Sequence, residues 1–376
     1  MLLSAGSNAH GQLSNGSTDD SHVFRPCSFE GGGFPDGWKL VDLAFGANHT
    51  LALLEDVDTG KNALWGCGDG RKGQLGPSYV ATTVLKPLHL PLAPNLVGHA
   101  PRLIAAAWET SYVVLSAAGK DDILISMGSN DFGVLGVGVK SVQPLNVVDF
   151  KPVLGGRGLH ISAIAAGPNH VAALLRFAGS EDLAVGWGAS RHGQLGDATT
   201  PFATVPTVLR GVSATSAALG HQHTLLLDAG GSVHGLGSNR KQQLGLDAVR
   251  DARSVQCTWN GSYIVTINGH ILSAGSNIHG QLGRDTGTLA PLDRVTFPFD
   301  PSAHELLQLA CGSEHVLAAF RTPQSTVEVW GWGWNEHGNL GSGNTDNAGL
   351  PQKLWSSETL DVKIWAGLGT SWVWVP

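Results

Sequence analysis

Glycine, tryptophan and histidine crowd residues 331 to 343, "GWGWNEHGNLGSG". These residue types at this spacing suggest two chemistries. The run Gly331, Gly333, Gly338 approaches the fingerprint with which a backbone cradles phosphate, a motif that follows a parallel strand and opens a helix. Histidines suggest zinc, which needs three or four ligands within about 2.3 Å of one point. Either reading requires the stretch to be unique.

It recurs. "GSNAHGQL" stands at 6 to 13, "GDGRKGQLG" at 68 to 76, "GASRHGQLG" at 188 to 196 and "GSNIHGQLG" at 275 to 283, with weaker copies "GSNDFGVLG" at 128 to 136 and "GSNRKQQLG" at 237 to 245. With "GWNEHGNLG" at 333 to 341 there are seven, and the first glycines are spaced by 62, 60, 60, 49, 38 and 58 residues. A ligand loop is needed once, whereas a building block is needed repeatedly, so self-similarity at this period marks a solenoid or propeller. No helix of normal length follows any copy, which removes the nucleotide cradle. The histidines fall into two registers, His10, His192, His279 and His337 in the glycine loop and His49, His170, His223 and His315 in a second motif. One histidine per repeat is a structural pattern, an imidazole bonded to nearby backbone, and it predicts neither a metal site nor a cofactor.

Bulk properties narrow the class. Hydrophobic content of 42% with 14% charged residues excludes a disordered chain, and the 51 glycines suit a protein full of tight turns. A net charge of −7 without a Lys/Arg cluster disfavours direct nucleic-acid binding. Cys27, Cys67, Cys257 and Cys311 form no CxxC pair and fit reduced cytosolic or nuclear thiols. "LLSAGSN" after Met1 is already repeat sequence, so no secretory signal is expected, and no apolar run is long enough to span a membrane. The expected location is cytoplasmic, with the nucleus as a second compartment. No G-x-S-x-G, paired carboxylate or Cys–His pattern supports catalysis.

The elements that must position these residues are short. Each loop follows a strand-like run such as "LLSAG", "ILISMG" or "VEVWGWG". Most are preceded by two strands around a Gly-x-x-His turn, as in "LAFGANHTLALL", "IAAGPNHVAALL", "AALGHQHTLLL" and "LACGSEHVLAAF". A fourth strand is expected in each variable segment, for example "PTVLRG" at 206 to 211. Seven such antiparallel units predict an all-β, seven-bladed β-propeller forming one domain over 1–376. The chain opens on a third strand and closes on the first two, "VKIWAG" and "SWVWVP", so one blade should pair N- and C-terminal strands and remove free edges.

The G-x-x-x-x-G-Q-L-G loop with its A-x-G-x-x-H-[TS] turn resembles the regulator-of-chromosome-condensation repeat over essentially the whole chain. The resemblance implies a seven-bladed propeller that binds other proteins. The C-terminal "VWGWGWNEHGNLGSG…KIWAGLGTSWVWV" is similar to the fungal branch of that family that pairs with a small CSL-type zinc protein. That likeness implies a heterodimer serving Elongator-dependent tRNA wobble-uridine modification and diphthamide synthesis. The alternative from the same family is guanine-nucleotide exchange on a Ran-like small GTPase, which depends on a β-wedge. The proline-bearing segments 77–101 and 139–160 are its candidates here.

Departures from the repeat point to the site. In the turn register glycine gives way to Trp108 in "WETSY" and Trp259 in "WNGSY", while the loop register carries Trp334. Strand alternation puts turn and loop at the same end of each unit, so the expected partner-binding residues are Trp108, Glu109, Trp259, Asn260, Trp334, Asn335 and Glu336. Tryptophan is enriched in binding hot spots. The competing role for Trp108 and Trp259 is a plug between blades. The opposite end, with Asp56, Asp58, Asp121, Asp122, Glu181, Asp182 and Asp228, is expected to be acidic.

Overall fold

Apolar runs this short satisfy their backbone N–H and C=O groups only by pairing with a neighbouring strand. The computed structural model describes residues 1–376 except 139–142, 178, 180, 210, 247–248 and 286–290. The described residues form seven antiparallel sheets, six of four strands and one of three. In chain order they include Trp38–Phe45, His49–Asp56, Asn62–Asp69 and Ala81–Pro87; then Ala100–Ala106, Thr110–Ser116, Ile123–Gly128 and Asn146–Val147. Ile161–Ala166, His170–Leu175, Leu183–Ala189 and Phe202–Val208 follow, and then the three-stranded Ala214–Leu219, His223–Asp228 and Val233–Gly237. Ala252–Cys257, Gly261–Thr266, Ile271–Gly275 and Leu292–Arg294 precede Glu305–Cys311, His315–Arg321, Val327–Gly333 and Ala348–Ser357. This is the seven-bladed β-propeller fold class that the repeat count predicts.

The remaining sheet joins the chain ends in the order Ser21–Pro26, Leu2–Gly6, Thr370–Trp374, Lys363–Ala366. Leu2 is paired with Trp374 and Gly6 with Thr370, as the split end repeat requires. Elsewhere the outermost strand departs from expectation. "PTVLRG" is not its centre: the strand starts at Phe202 and ends at Val208, because the Ser190 N–H bonds to Pro201 O and pairing begins directly after the glycine loop. Residue 210 of that segment lies outside the described residues. The candidate wedge segments 77–101 and 139–160 supply outermost strands of their own sheets, Ala81–Pro87 and Asn146–Val147, with residues 139–142 outside the description.

The chain divides into two compact units, a terminal unit of Met1–Asn8, Asp19–Pro26 and Ala218–Pro376 and a central unit of Ala9–Thr18 and Cys27–Ala217. In the central unit, Val114 and Leu124 of one sheet pack with Val171, Val185 and Trp187 of the next. In the terminal unit, Tyr263 and Val265 pack with Val316, Phe320 and Trp332. Strands between two such cores are apolar on both faces: Val171, Ala172, Ala173 and Leu174 are all buried, so the usual alternation is lost.

Candidate protein-docking site

The first two strands of each sheet are joined by a four-residue turn, and its backbone is the same in all seven. Its first N–H bonds to its fourth C=O, from Gly46, Ala107, Gly167, Gly220, Thr258, Gly312 and Gly367 to His49, Thr110, His170, His223, Gly261, His315 and Thr370, at 2.8–3.0 Å. The C=O of the third turn residue accepts the N–H of the residue after the loop's first glycine, as Asn48 does from Asp69 (2.7 Å) and Glu314 from Trp334 (2.9 Å). Turn and loop therefore share one end of each sheet, as alternation predicts.

These bonds correct the register of two tryptophans. Glycine is replaced by Ala107 and Thr258, and Trp108 and Trp259 occupy the second place of the turn, the place of Ala47 and Ser313. The cause is steric. A Cβ on Gly46, Gly220 or Gly312 would lie 2.0, 2.1 or 2.2 Å from Cε1 of His49, His223 or His315. Where Thr110 or Gly261 replaces the histidine, that clash is gone and a side chain fits. The histidines meet side chains as well as the expected backbone. Nε2 of His49, His223 and His315 lies 2.8, 3.2 and 3.1 Å from the hydroxyl oxygens of Ser111, Ser262 and Ser371 on the next sheet, and His223 and His315 also hydrogen-bond backbone at Gly261 and Thr370. Burial lowers the pKa of these three to about 4, so they are neutral at pH 7. Among the described residues no three His, Cys, Asp or Glu side chains gather as metal ligands.

In the terminal unit, the sequence-predicted Trp259, Asn260, Trp334 and Glu336 come together around a residue not singled out beforehand, Glu314. The Trp259 N–H donates to Ser313 O at 2.7 Å. Asn260 Nδ2 donates to Glu314 Oε1 at 2.8 Å and Gln281 Nε2 to Oε2 at 2.7 Å. Glu314 is buried, and burial raises its carboxyl pKa against the lowering effect of the two amides. Trp334 Nε1 donates to Glu336 Oε2 at 3.1 Å. The Trp334 ring lies 6.3 Å from His279 and 5.4 Å from His337, whose Nδ1 is 2.7 Å from Asp20 Oδ2. The site thus combines a half-buried indole with carboxylates and imidazoles, groups that recognise cations and hydrogen-bond donors. Glu314 had a signal: the third turn place holds amides at Asn48, Asn169, Gln222 and Asn260.

Three predicted residues fall outside this cluster. Asn335 is fully buried, its Oδ1 accepting from Leu340 N at 2.8 Å and its Nδ2 donating to Asn344 O at 3.0 Å, so it shapes the loop and cannot meet a partner. Asn277 bonds Leu282 N in the same way at 2.9 Å, so Asn335 is a repeat position. Trp108 and Glu109 belong to the central unit. At 43% exposure Trp108 is no plug. That role falls to fully buried Trp187 and Trp332, which donate to Val134 O (2.7 Å) and Gln281 O (2.9 Å). Gly283 makes room for the latter, since a Cβ there would sit 2.6 Å from the indole nitrogen.

At the opposite sheet ends protein groups engage most of the carboxylates, and the hydrogen bonds that lower the pKa of Asp56 and Asp228 keep them charged. Asp56 and Asp228 accept bonds from their own turns, from Thr59 N at 2.8 Å and Gly230 N at 2.9 Å. Asp122 is buried against Arg102 at 2.7 Å and His160 at 3.0 Å. Asp58 and Glu181 are exposed.

Seven repeated sheets, three of which carry an extra tryptophan at their turn or loop, define a repeat propeller. Residues 186–227 and 328–366 match the regulator of chromosome condensation (RCC1) repeat, so two segments of the chain are similar to that repeat. The chain is 28% identical to an RCC1 repeat-containing protein of Schizosaccharomyces pombe, over 99% of this chain and 98% of the relative. It is 27% identical to the secretion-regulating guanine nucleotide exchange factor of Mus musculus, over 93% and 78%. The solved structure of Prp20p from Saccharomyces cerevisiae, described with its binding to Gsp1p and histones, is similar at a TM-score of 0.76 and 19% identity, over 99% of this chain and 90% of that one.

Proposed function

We propose that the protein is a non-enzymatic interaction platform whose docking site is the Trp259, Asn260, Trp334 and Glu336 cluster around Glu314. One observation carries this reading. The position of Trp334, defined by its N–H bond to the turn, is held by Ser7, Asp69, Ser129, Ala189, Ser238 and Ser276 in the other repeats. Small residues suffice for the blade, so the indole serves something else. The partner is a small CSL-type zinc protein, with which the chain forms a heterodimer acting in Elongator-dependent tRNA modification and diphthamide synthesis, in the cytoplasm and nucleus. The resemblance of the C-terminal stretch supports that partner.

The second reading, exchange activity on a Ran-like GTPase, is supported by the name of the mouse relative. The two part in one experiment. Trp334→Ala is compared with wild type in melting temperature and in affinity for the co-purified partner. The expected result is an unchanged melting temperature and a loss of about 2 kcal/mol of binding, roughly thirtyfold. Unchanged affinity refutes the docking site, and accelerated nucleotide release from a Ran-like GTPase by the wild-type protein favours the second reading.

A further inference from the structure

In the central unit, at the sheet ends opposite the turns and loops, lies an open cleft of about 640 Å³. It is bounded by the turn Gly119–Asp121, the connector 157–160 and the end of a strand at Arg176 and Phe177. Three cations line it, Lys120, Arg157 and Arg176, against one carboxylate, Asp121. In a chain of net charge −7 this local balance is reversed.

Of the nearby carboxylates Glu181 is exposed, and the others are engaged. Asp121 Oδ1 accepts from Leu159 N at 3.1 Å, and Asp182 Oδ1 accepts from Phe177 N at 3.2 Å. Asp122 is buried against Arg102 and His160. Arg157 is fixed without a carboxylate. Its guanidinium carbon lies 3.8 Å from the centre of the Phe177 ring, and its Nε donates to Leu154 O at 2.8 Å. No carboxylate among the described residues lies within ion-pair distance of Arg157 or Lys120, and Arg176 meets Asp182 only loosely, at 3.6 Å. An arginine held over an aromatic ring keeps its terminal N–H groups for an outside acceptor and loses little further freedom on binding.

We infer that this cleft is a second docking site and that it takes an acidic peptide segment of a partner protein. The cations come from three separate chain segments along an open cleft, which suits successive carboxylates of an extended chain. The inference is independent of the Trp334 site, which belongs to the other unit.

The test is titration of the purified full-length protein with a fluorescent oligoglutamate peptide, with oligolysine as control and inorganic phosphate as competitor. Wild type should bind oligoglutamate, not oligolysine, and bind it more weakly as salt rises. The charge reversal Arg157→Glu should weaken binding about tenfold or more. Lys120→Glu, on an exposed turn and so harmless to folding, should act in the same direction. Melting temperatures show whether each variant is folded. No binding by wild type, or equal binding by wild type and folded Lys120→Glu, overturns the site. Displacement of the peptide by phosphate at equal concentration overturns the peptide assignment.

Discussion

The turns Ala107–Thr110 and Gly312–His315 have the same backbone. In each the first N–H bonds to the fourth C=O, at 2.8 and 2.9 Å, and a glutamate C=O in third place accepts from the glycine loop, at 2.9 Å in both. Their side chains diverge. His315 is buried on the Ser371 hydroxyl, Glu314 is buried between Asn260 and Gln281, and Ser313 Oγ donates to Leu368 O. Trp108 is 43% exposed, Glu109 is only half-buried, and Thr110 bonds Ser129 O of its own sheet at 2.7 Å. The repeat fixes what the backbone does; the neighbouring sheet decides what a side chain at that place is for.

Acid should separate the two kinds of turn most strongly. The buried histidines have folded pKa values of about 4 against an ordinary 6.5. The unfolded chain therefore binds more protons between these values, and stability present above pH 6.5 is lost as pH falls toward 4, on the order of 3 kcal/mol for each histidine. Urea unfolding of wild type and His315→Asn across that range should show a shallower pH dependence in the variant. An identical slope would mean that His315 does not titrate on unfolding.

Next in size is the coupling of glycine to histidine. Gly312→Ala forces a methyl to within 2.2 Å of the imidazole and should cost about 3 kcal/mol. Ala107→Gly, in the turn without histidine, should cost about 1 kcal/mol or less. Equal melting temperatures for the two variants would break the comparison.

The glutamates give the smallest contrast. Glu314→Ala leaves the buried Gln281 amide and the half-buried Asn260 amide without that acceptor and should cost about 2 kcal/mol, whereas Glu109→Ala should stay within about 0.5 kcal/mol. Glu314→Gln sharpens the point. Because the folded pKa of Glu314 is raised, its contribution is complete below the ordinary carboxylate value and is lost as pH rises through the folded one. Stability of the variant relative to wild type should therefore climb with pH over that window, opposite in sign to the histidine effect. A flat difference would place the Glu314 carboxylate in water.

What was legible in the sequence is what the backbone repeats. The seven glycine loops, the histidine that ends four of the seven turns and the split end repeat specify strands, turn ends and closure. Trp334 stood out because its register is otherwise filled by small or short polar residues. Less accessible was anything decided by a neighbouring sheet. Whether glycine or alanine opens a turn depends on a Cβ-to-imidazole distance, so Trp108 and Trp259 were set one place too early. Glu314 is buried by Asn260 and Gln281, which lie 54 and 33 residues away. Asn335 looked like a surface neighbour of Trp334 until its bond to Leu340 N placed it inside the loop. Asp122 counted only as part of an acidic end, because nothing in "AAGKDD" announces its ion pair with Arg102.

The sheet that pairs Leu2–Gly6 with Thr370–Trp374 imposes an order in time on synthesis. At about 5–20 residues per second, the first strand leaves the ribosome about 20–70 seconds before its partner exists. During that interval Leu2, Leu3 and Ala5, all buried in the finished fold, have no seat. Thr370–Trp374 is the strand that ends the exposure of the first, so the nascent chain presents a sticky edge to chaperones throughout that interval.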